Sequence, residues 1–247
     1  MKNFLKIILQ YYLKFIVKII IFIHRPFIIA IAGSTNKTFL KERISYVLRQ
    51  AGQEVRSNKK SFNTEIGLPL AILNLSSGYN SYKNWLPIIR KAFKAIFSRS
   101  FPPYLVLELG VSHPRDMKYL RSLICPNIII ISDITQRYLE SFGDMDNLVG
   151  EYEYLVKTAP ADSLVLLNYD NVKTKNMGNL SKAKTIFFGL EKGADYQAEE
   201  VKREINGQKF TIKDGGEEIY LTRFGQHHIY AALAAFIIKE YVITKKN

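Results

Sequence analysis

Residues 28–39 read Ile28-Ile29-Ala30-Ile31-Ala32-Gly33-Ser34-Thr35-Asn36-Lys37-Thr38-Phe39, and the rest of the chain arranges itself around them. The apolar run Phe27 to Ala32 predicts a buried strand. A turn of small residues follows, then Lys37-Thr38, then a helical pattern from Phe39 to Leu48. Strand, tight turn, Lys-Thr and helix make the layout of a phosphate-binding loop. The first N–H groups of a helix lack partners within it, and the helix dipole adds partial positive charge there. On this reading Gly33, Ser34, Thr35, Asn36, Lys37 and Thr38 cradle phosphates. Lys37 adds a full charge, and Thr38 offers a hydroxyl to Mg²⁺. The usual pattern has Gly immediately before the Lys; here it is Asn36. Asn is the non-glycine residue that best tolerates left-handed geometry. The same residues also fit a plain strand–turn–helix corner with an exposed lysine.

The chain has 247 residues, 47% of them hydrophobic, enough for one large domain plus an appendage. The single cysteine, Cys125, excludes an intrachain disulfide and a cysteine-clustered zinc site. Net charge is +13, and residues 1–60 hold 12 Lys or Arg against 2 Asp or Glu, so +10 of it lies there. That asymmetry argues against a nucleic-acid protein with a basic face throughout. It points to a basic N-terminal region facing phosphate or lipid head groups.

Residues 1–24 are apolar and aromatic, with Lys2, Lys6, Lys14 and Lys18 interspersed. They predict a helix over 2–23 with its lysines within about half the circumference. Three readings stand: a basic amphipathic helix on an anionic membrane surface, a helix packed on the domain, and a spanning helix. The expected division is a helix over 1–25 and a domain over 26–247. Near-continuous apolar runs at 27–32, 104–109, 127–132 and 163–167 alternate with helical stretches. Such runs suit strands covered on both faces, so the predicted class is α/β, three layers around a mostly parallel sheet. Short strands between about 184 and 222 predict a small, mainly antiparallel section.

Five motifs in order resemble the Mur ligase family, in its ATP-binding central domain. They are the Lys37-Thr38 loop; Asn63-Thr64-Glu65-Ile66-Gly67-Leu68-Pro69-Leu70; Leu107-Glu108-Leu109-Gly110; Leu139-Glu140-Ser141-Phe142-Gly143; and Gly225-Gln226-His227 ahead of Ala231-Ala232-Leu233-Ala234-Ala235. Leu167-Asn168-Tyr169-Asp170 is a sixth, weaker match. The resemblance covers roughly Phe27 to Ile238 and implies a P-loop-like nucleotide fold. It also implies ATP-dependent amide formation in peptidoglycan precursor synthesis, by way of an acyl phosphate. The branch that it is most similar to joins D-alanyl-D-alanine to UDP-N-acetylmuramoyl-tripeptide. The implied ligands are ATP, Mg²⁺ and a UDP-muramoyl-peptide. Implied roles are Lys37 on the β/γ-phosphates, Thr38 and Glu108 on the metal, and His227 on the adenine side.

The chain departs from the family at four of these points. Asn36 replaces a glycine, and Tyr138 replaces a metal-binding histidine. Tyr152 stands where the family has a carbamylated lysine, and Ala231 stands for an asparagine. Glu140, Glu151 and Glu153 are candidate substitute ligands. The family's N-terminal sugar-nucleotide domain and C-terminal amine-substrate domain have no counterpart in these residues, so a separate chain would supply them. Three functions follow: a cytoplasmic ligase, at the inner membrane surface if the N-terminal helix binds there; a non-catalytic nucleotide-binding or scaffold relative; or a truncated gene product. A nucleic-acid module lacks a recognition helix or a single-strand platform.

Overall fold

The computed structural model describes residues 2–59, 62–79, 82–137, 139–213 and 216–244. Its strands are β1 (Phe27–Ala32), β2 (Val55–Ser57), β3 (Tyr104–Glu108), β4 (Ile128–Ile131), β5 (Leu164–Asn168), β6 (Lys184–Gly189), β7 (Tyr196–Glu204), β8 (Gly207–Ile212) and β9 (Glu218–Leu221). They form one sheet in the order β2-β3-β1-β4-β5-β6-β7-β8-β9. From β2 to the start of β7 the neighbours run parallel.

Alternation along the strands explains the uninterrupted apolar runs. Ile29 and Ile31 of β1, with Ile128 and Ile130 of β4, point to one face. Ile28, Ala30, Ile129 and Ile131 point to the other. Each face carries its own helices, so both sets are buried. On one side lie α2 (Lys37–Gln50) and α9 (Gln226–Thr244), packed on each other. Leu40, Ile44 and Leu48 make the buried stripe of α2, each contributing about 1.5–3 kcal/mol by burial. The alanines of α9 let that helix approach closely, and Ala231 to Ala235 are all buried. On the other side lie α1 (Lys2–His24), α3 (Gly67–Ile72), α4 (Tyr82–Ala95), α5 (Asp116–Leu123) and α7 (Met145–Lys157).

The antiparallel part is shorter than expected. It comprises β7–β9, whereas β6 pairs parallel with β5 from Leu164↔Lys184 to Asn168↔Phe188. The segment between β5 and β6, including the short helix α8 (Val172–Lys175), is a crossover, which parallel pairing requires.

The helix α1 packs on the domain. Leu13, Ile16, Val17 and Ile20 are buried against α3, α4 and α5. Lys6 pairs with Glu65 at 2.7 Å, and Lys14 donates to Ser122 Oγ at 2.6 Å. Truncating a side chain in this stripe should cost about 2–5 kcal/mol. Leu13→Ala should therefore shift the urea midpoint clearly downward; an unchanged midpoint would mean that α1 contributes nothing to the fold.

Candidate functional site

The site is a corner at the carboxyl ends of β1, β3 and β4, where the winding of the sheet reverses about β1. Gly33 leaves β1 at φ 133°, and a Cβ there would meet Ser132 Oγ at 2.1 Å. Asn36 adopts the left-handed conformation, φ 63° and ψ −3°, directly before α2. Its side-chain amide donates to Asp133 Oδ2, which ties the loop to the end of β4. The Asp133 carbonyl accepts the N–H groups of Ser34 (2.8 Å) and Thr35 (3.4 Å). The first half of the loop is thereby fixed to the sheet. The second half, Asn36 to Thr38, leads into the start of α2.

Lys37 Nζ donates to the Gly33 carbonyl at 2.6 Å, with the Ser34 carbonyl at 3.4 Å. Burial pushes its ammonium down from the ordinary lysine range; Glu108 opposes this and Arg137 adds to it. The half-buried ammonium is thus held by loop carbonyls and not by a carboxylate ion pair.

Glu108, at the end of β3, is the centre of the polar network. Its Oε2 accepts from Thr38 Oγ1 at 3.1 Å and from Lys41 Nζ at 3.3 Å. Its Oε1 accepts from Asn63 Nδ2 at 3.1 Å. Asn58, itself buried, clamps its backbone at both N–H and carbonyl, each at 2.9 Å. Asp133 is held by Asn36 and by Asn168 Nδ2 at 2.7 Å. Burial raises its carboxyl above the usual aspartate range, with Asp170 adding and the two asparagine amides opposing.

His227 lies in the first turn of α9 and packs its ring 4.5 Å from Phe39 and 4.2 Å from His228. Phe39 belongs to the first turn of α2, so the aromatic trio adjoins the loop. Beside it lies a cleft of about 440 Å³, lined by Phe39, Arg43, Tyr46, Tyr220, Arg223 and His228 among others.

A hard divalent cation binds through oxygens and retains waters. Thr38 Oγ1 and Glu108 Oε2, side by side, fit one such ion shared with phosphate oxygens. Among the described residues a second ion finds no ligand set. Tyr152 is fully buried in the apolar core, and Tyr138 lies outside the described residues. Glu151 caps α5, accepting from the N–H groups of Arg115 (2.6 Å) and Met117 (2.8 Å). Glu153 pairs with Lys157 at 2.7 Å, and Glu140 is solvent-exposed. Among the described residues no three His, Cys, Asp or Glu side chains converge.

Lys41 and Asp133 were not singled out from sequence. Lys41 lies one helical turn after Lys37, on the same side of α2, a spacing that could have flagged it. Asp133 closely follows the end of β4, where such sheets place ligand-facing polar groups.

Residues 90–239, more than half of the chain, match the family described as the Mur ligase middle domain. The chain is 29% identical over 214 residues to UDP-N-acetylmuramoyl-tripeptide–D-alanyl-D-alanine ligase of Buchnera aphidicola, spanning 85% of this chain and 41% of that protein. Among solved structures, MurF from Acinetobacter baumannii superposes with a TM-score of 0.74 at 18% identity, covering 96% of this chain and 46% of that one. MurF ligase from Thermotoga maritima in complex with ADP gives 0.73 at 17%, covering 95% and 49%. The chain thus spans about two fifths of the length of the curated relatives that it matches. The match over residues 90–239 settles the family: the chain belongs to the Mur ligase family, through the middle domain.

Proposed function

We infer that this chain is the nucleotide-binding part of an ATP-dependent acid–amino-acid ligase of peptidoglycan precursor synthesis, acting in the cytoplasm on a UDP-muramoyl-peptide. The observation that carries this reading is the left-handed turn at Asn36, which sets Lys37 over the loop carbonyls and Thr38 against Glu108 at the start of α2. The ADP complex of the Thermotoga maritima relative supports it by likeness of fold. Lys37 leaves the Gly33 carbonyl for the β/γ-phosphate oxygens, and the first N–H groups of α2 hold neighbouring oxygens. His227 and Phe39 flank the base. Thr38 and Glu108 would hold Mg²⁺, which would neutralise phosphate charge when bound.

The substrate carboxylate attacks the γ-phosphorus; the bond to the β–γ bridging oxygen breaks and ADP leaves. The amine nitrogen then attacks the acyl carbon, a C–N bond forms, phosphate departs, and the surplus amine proton passes to solvent. Little covalent help is needed from the protein, so positioning and charge carry the catalysis.

A second reading, a relative that binds nucleotide without turnover, is favoured by Tyr152 in the core and by Glu151 committed to α5. The test supplies the chain with ATP, Mg²⁺, UDP-N-acetylmuramoyl-tripeptide and D-alanyl-D-alanine. The expected result is ATP binding by calorimetry with little phosphate release. Release restored by a separately made segment carrying the relatives' remaining sequence would favour the ligase. Robust amide formation by the isolated chain would refute the binding-only reading, and absence of ATP binding would refute both.

A further inference from the structure

We propose that α1 and α4 together form a surface that lies on an anionic lipid membrane. One side of α1 is occupied by the domain, through Leu13, Ile16, Val17 and Ile20. The opposite side shows Phe4, Tyr11, Phe15 and Phe22, each 63–74% exposed. At 100° per residue these four rings fall within roughly 40° of one another. They form a stripe, not a scatter of single apolar residues.

The helix α4 lies alongside, and Tyr12 Oη donates to the Ile89 carbonyl at 2.9 Å. It adds exposed Leu86 and Phe93, with Phe97 just beyond its end; the two phenylalanine rings meet edge to face at 5.6 Å. An exposed apolar area of this kind marks an interaction site. Charge identifies the occupant. Residues 2–25 and 82–99 contain ten Lys or Arg and no Asp or Glu, so they carry +10 of the net +13. A second copy would bring the same positive charge against itself. Acidic head groups around an apolar interior match both the basic flank and the aromatic stripe.

A spanning arrangement is at odds with the packing. The helix is long and apolar enough to cross a membrane, but Leu13, Ile16, Val17 and Ile20 would have to leave the core. The membrane therefore meets the outer side of a docked helix.

The test is co-sedimentation of the whole chain with vesicles of mixed phosphatidylglycerol and phosphatidylcholine, against pure phosphatidylcholine. Binding is expected to the anionic vesicles alone, and it should weaken sharply in high salt. Lys91 and Lys94 are exposed, so K91E/K94E should fold normally, checked by an unchanged melting temperature. It should bind at least about 30-fold more weakly, since two positive charges at about 1 kcal/mol each are lost and two negative ones added. F93S/F97S should also release the chain. Wild-type binding by both α4 variants, equal binding to neutral vesicles, or retention after carbonate extraction would overturn the proposal. So would a salt-stable dimer that ignores vesicles.

Discussion

Lys37→Ala should reduce ATP affinity about 100-fold or more in calorimetric titration, with or without Mg²⁺. The lysine would lose contacts to two phosphate groups, and each charge-assisted contact is worth roughly 1.5–3 kcal/mol. The fold should survive, because Lys37 Nζ holds only the carbonyls of Gly33 and Ser34. The pH dependence gives a second check. The protonated amine binds phosphate, and burial lowers its pKa below the ordinary 10.5. Affinity should therefore fall as pH rises through that lowered value, before an ordinary lysine would discharge. The alanine variant should lack this alkaline fall. Equal ATP affinity in the two proteins would remove the loop from consideration as a phosphate site.

Glu108→Ala should be the most destabilising change at the site. The variant leaves Lys41 as a buried ammonium without its carboxylate, and the side chain of Lys41 is only 6% exposed. Removing one partner of a buried pair costs about 3–5 kcal/mol, which for a chain of this size lowers Tm by about 6–20 °C. The double variant Lys41→Met/Glu108→Leu should recover most of that loss, since an apolar pair replaces a buried ion pair at little cost. Thermal unfolding followed by calorimetry reads both. A single variant melting within about 2 °C of the parent would show that the Lys41–Glu108 pair contributes nothing to the fold.

The parallel strands were legible because Ile, Val and Leu run without interruption where both faces of a sheet are covered. The expected 27–32, 104–109, 127–132 and 163–167 differ from β1, β3, β4 and β5 by at most a residue at each end. The start of the antiparallel part was not legible. Which neighbour β6 takes depends on how the chain crosses over between β5 and β6, and composition carries no record of that. Asn36 was legible as the residue able to take a left-handed turn, and it takes one. The tie from Asn36 to Asp133 spans 97 positions and has no local signature. Tyr152 could be read as a departure from the family, but its place in the apolar core follows from tertiary packing that has no local signature.

The packing of α1 has a consequence in time. Its inward stripe is covered by α3, α4 and α5, which end 50 to 100 positions further along the chain. Translation at roughly 5–20 residues per second puts about 5–20 s between α1 leaving the ribosome and the emergence of α5. Until α3, α4 and α5 have all emerged, part of the inner side of a largely apolar helix stays open to water along with its outer side. A nascent chain of this design depends on what stands beside the ribosome, whether a chaperone or a bilayer, before it can depend on its own fold.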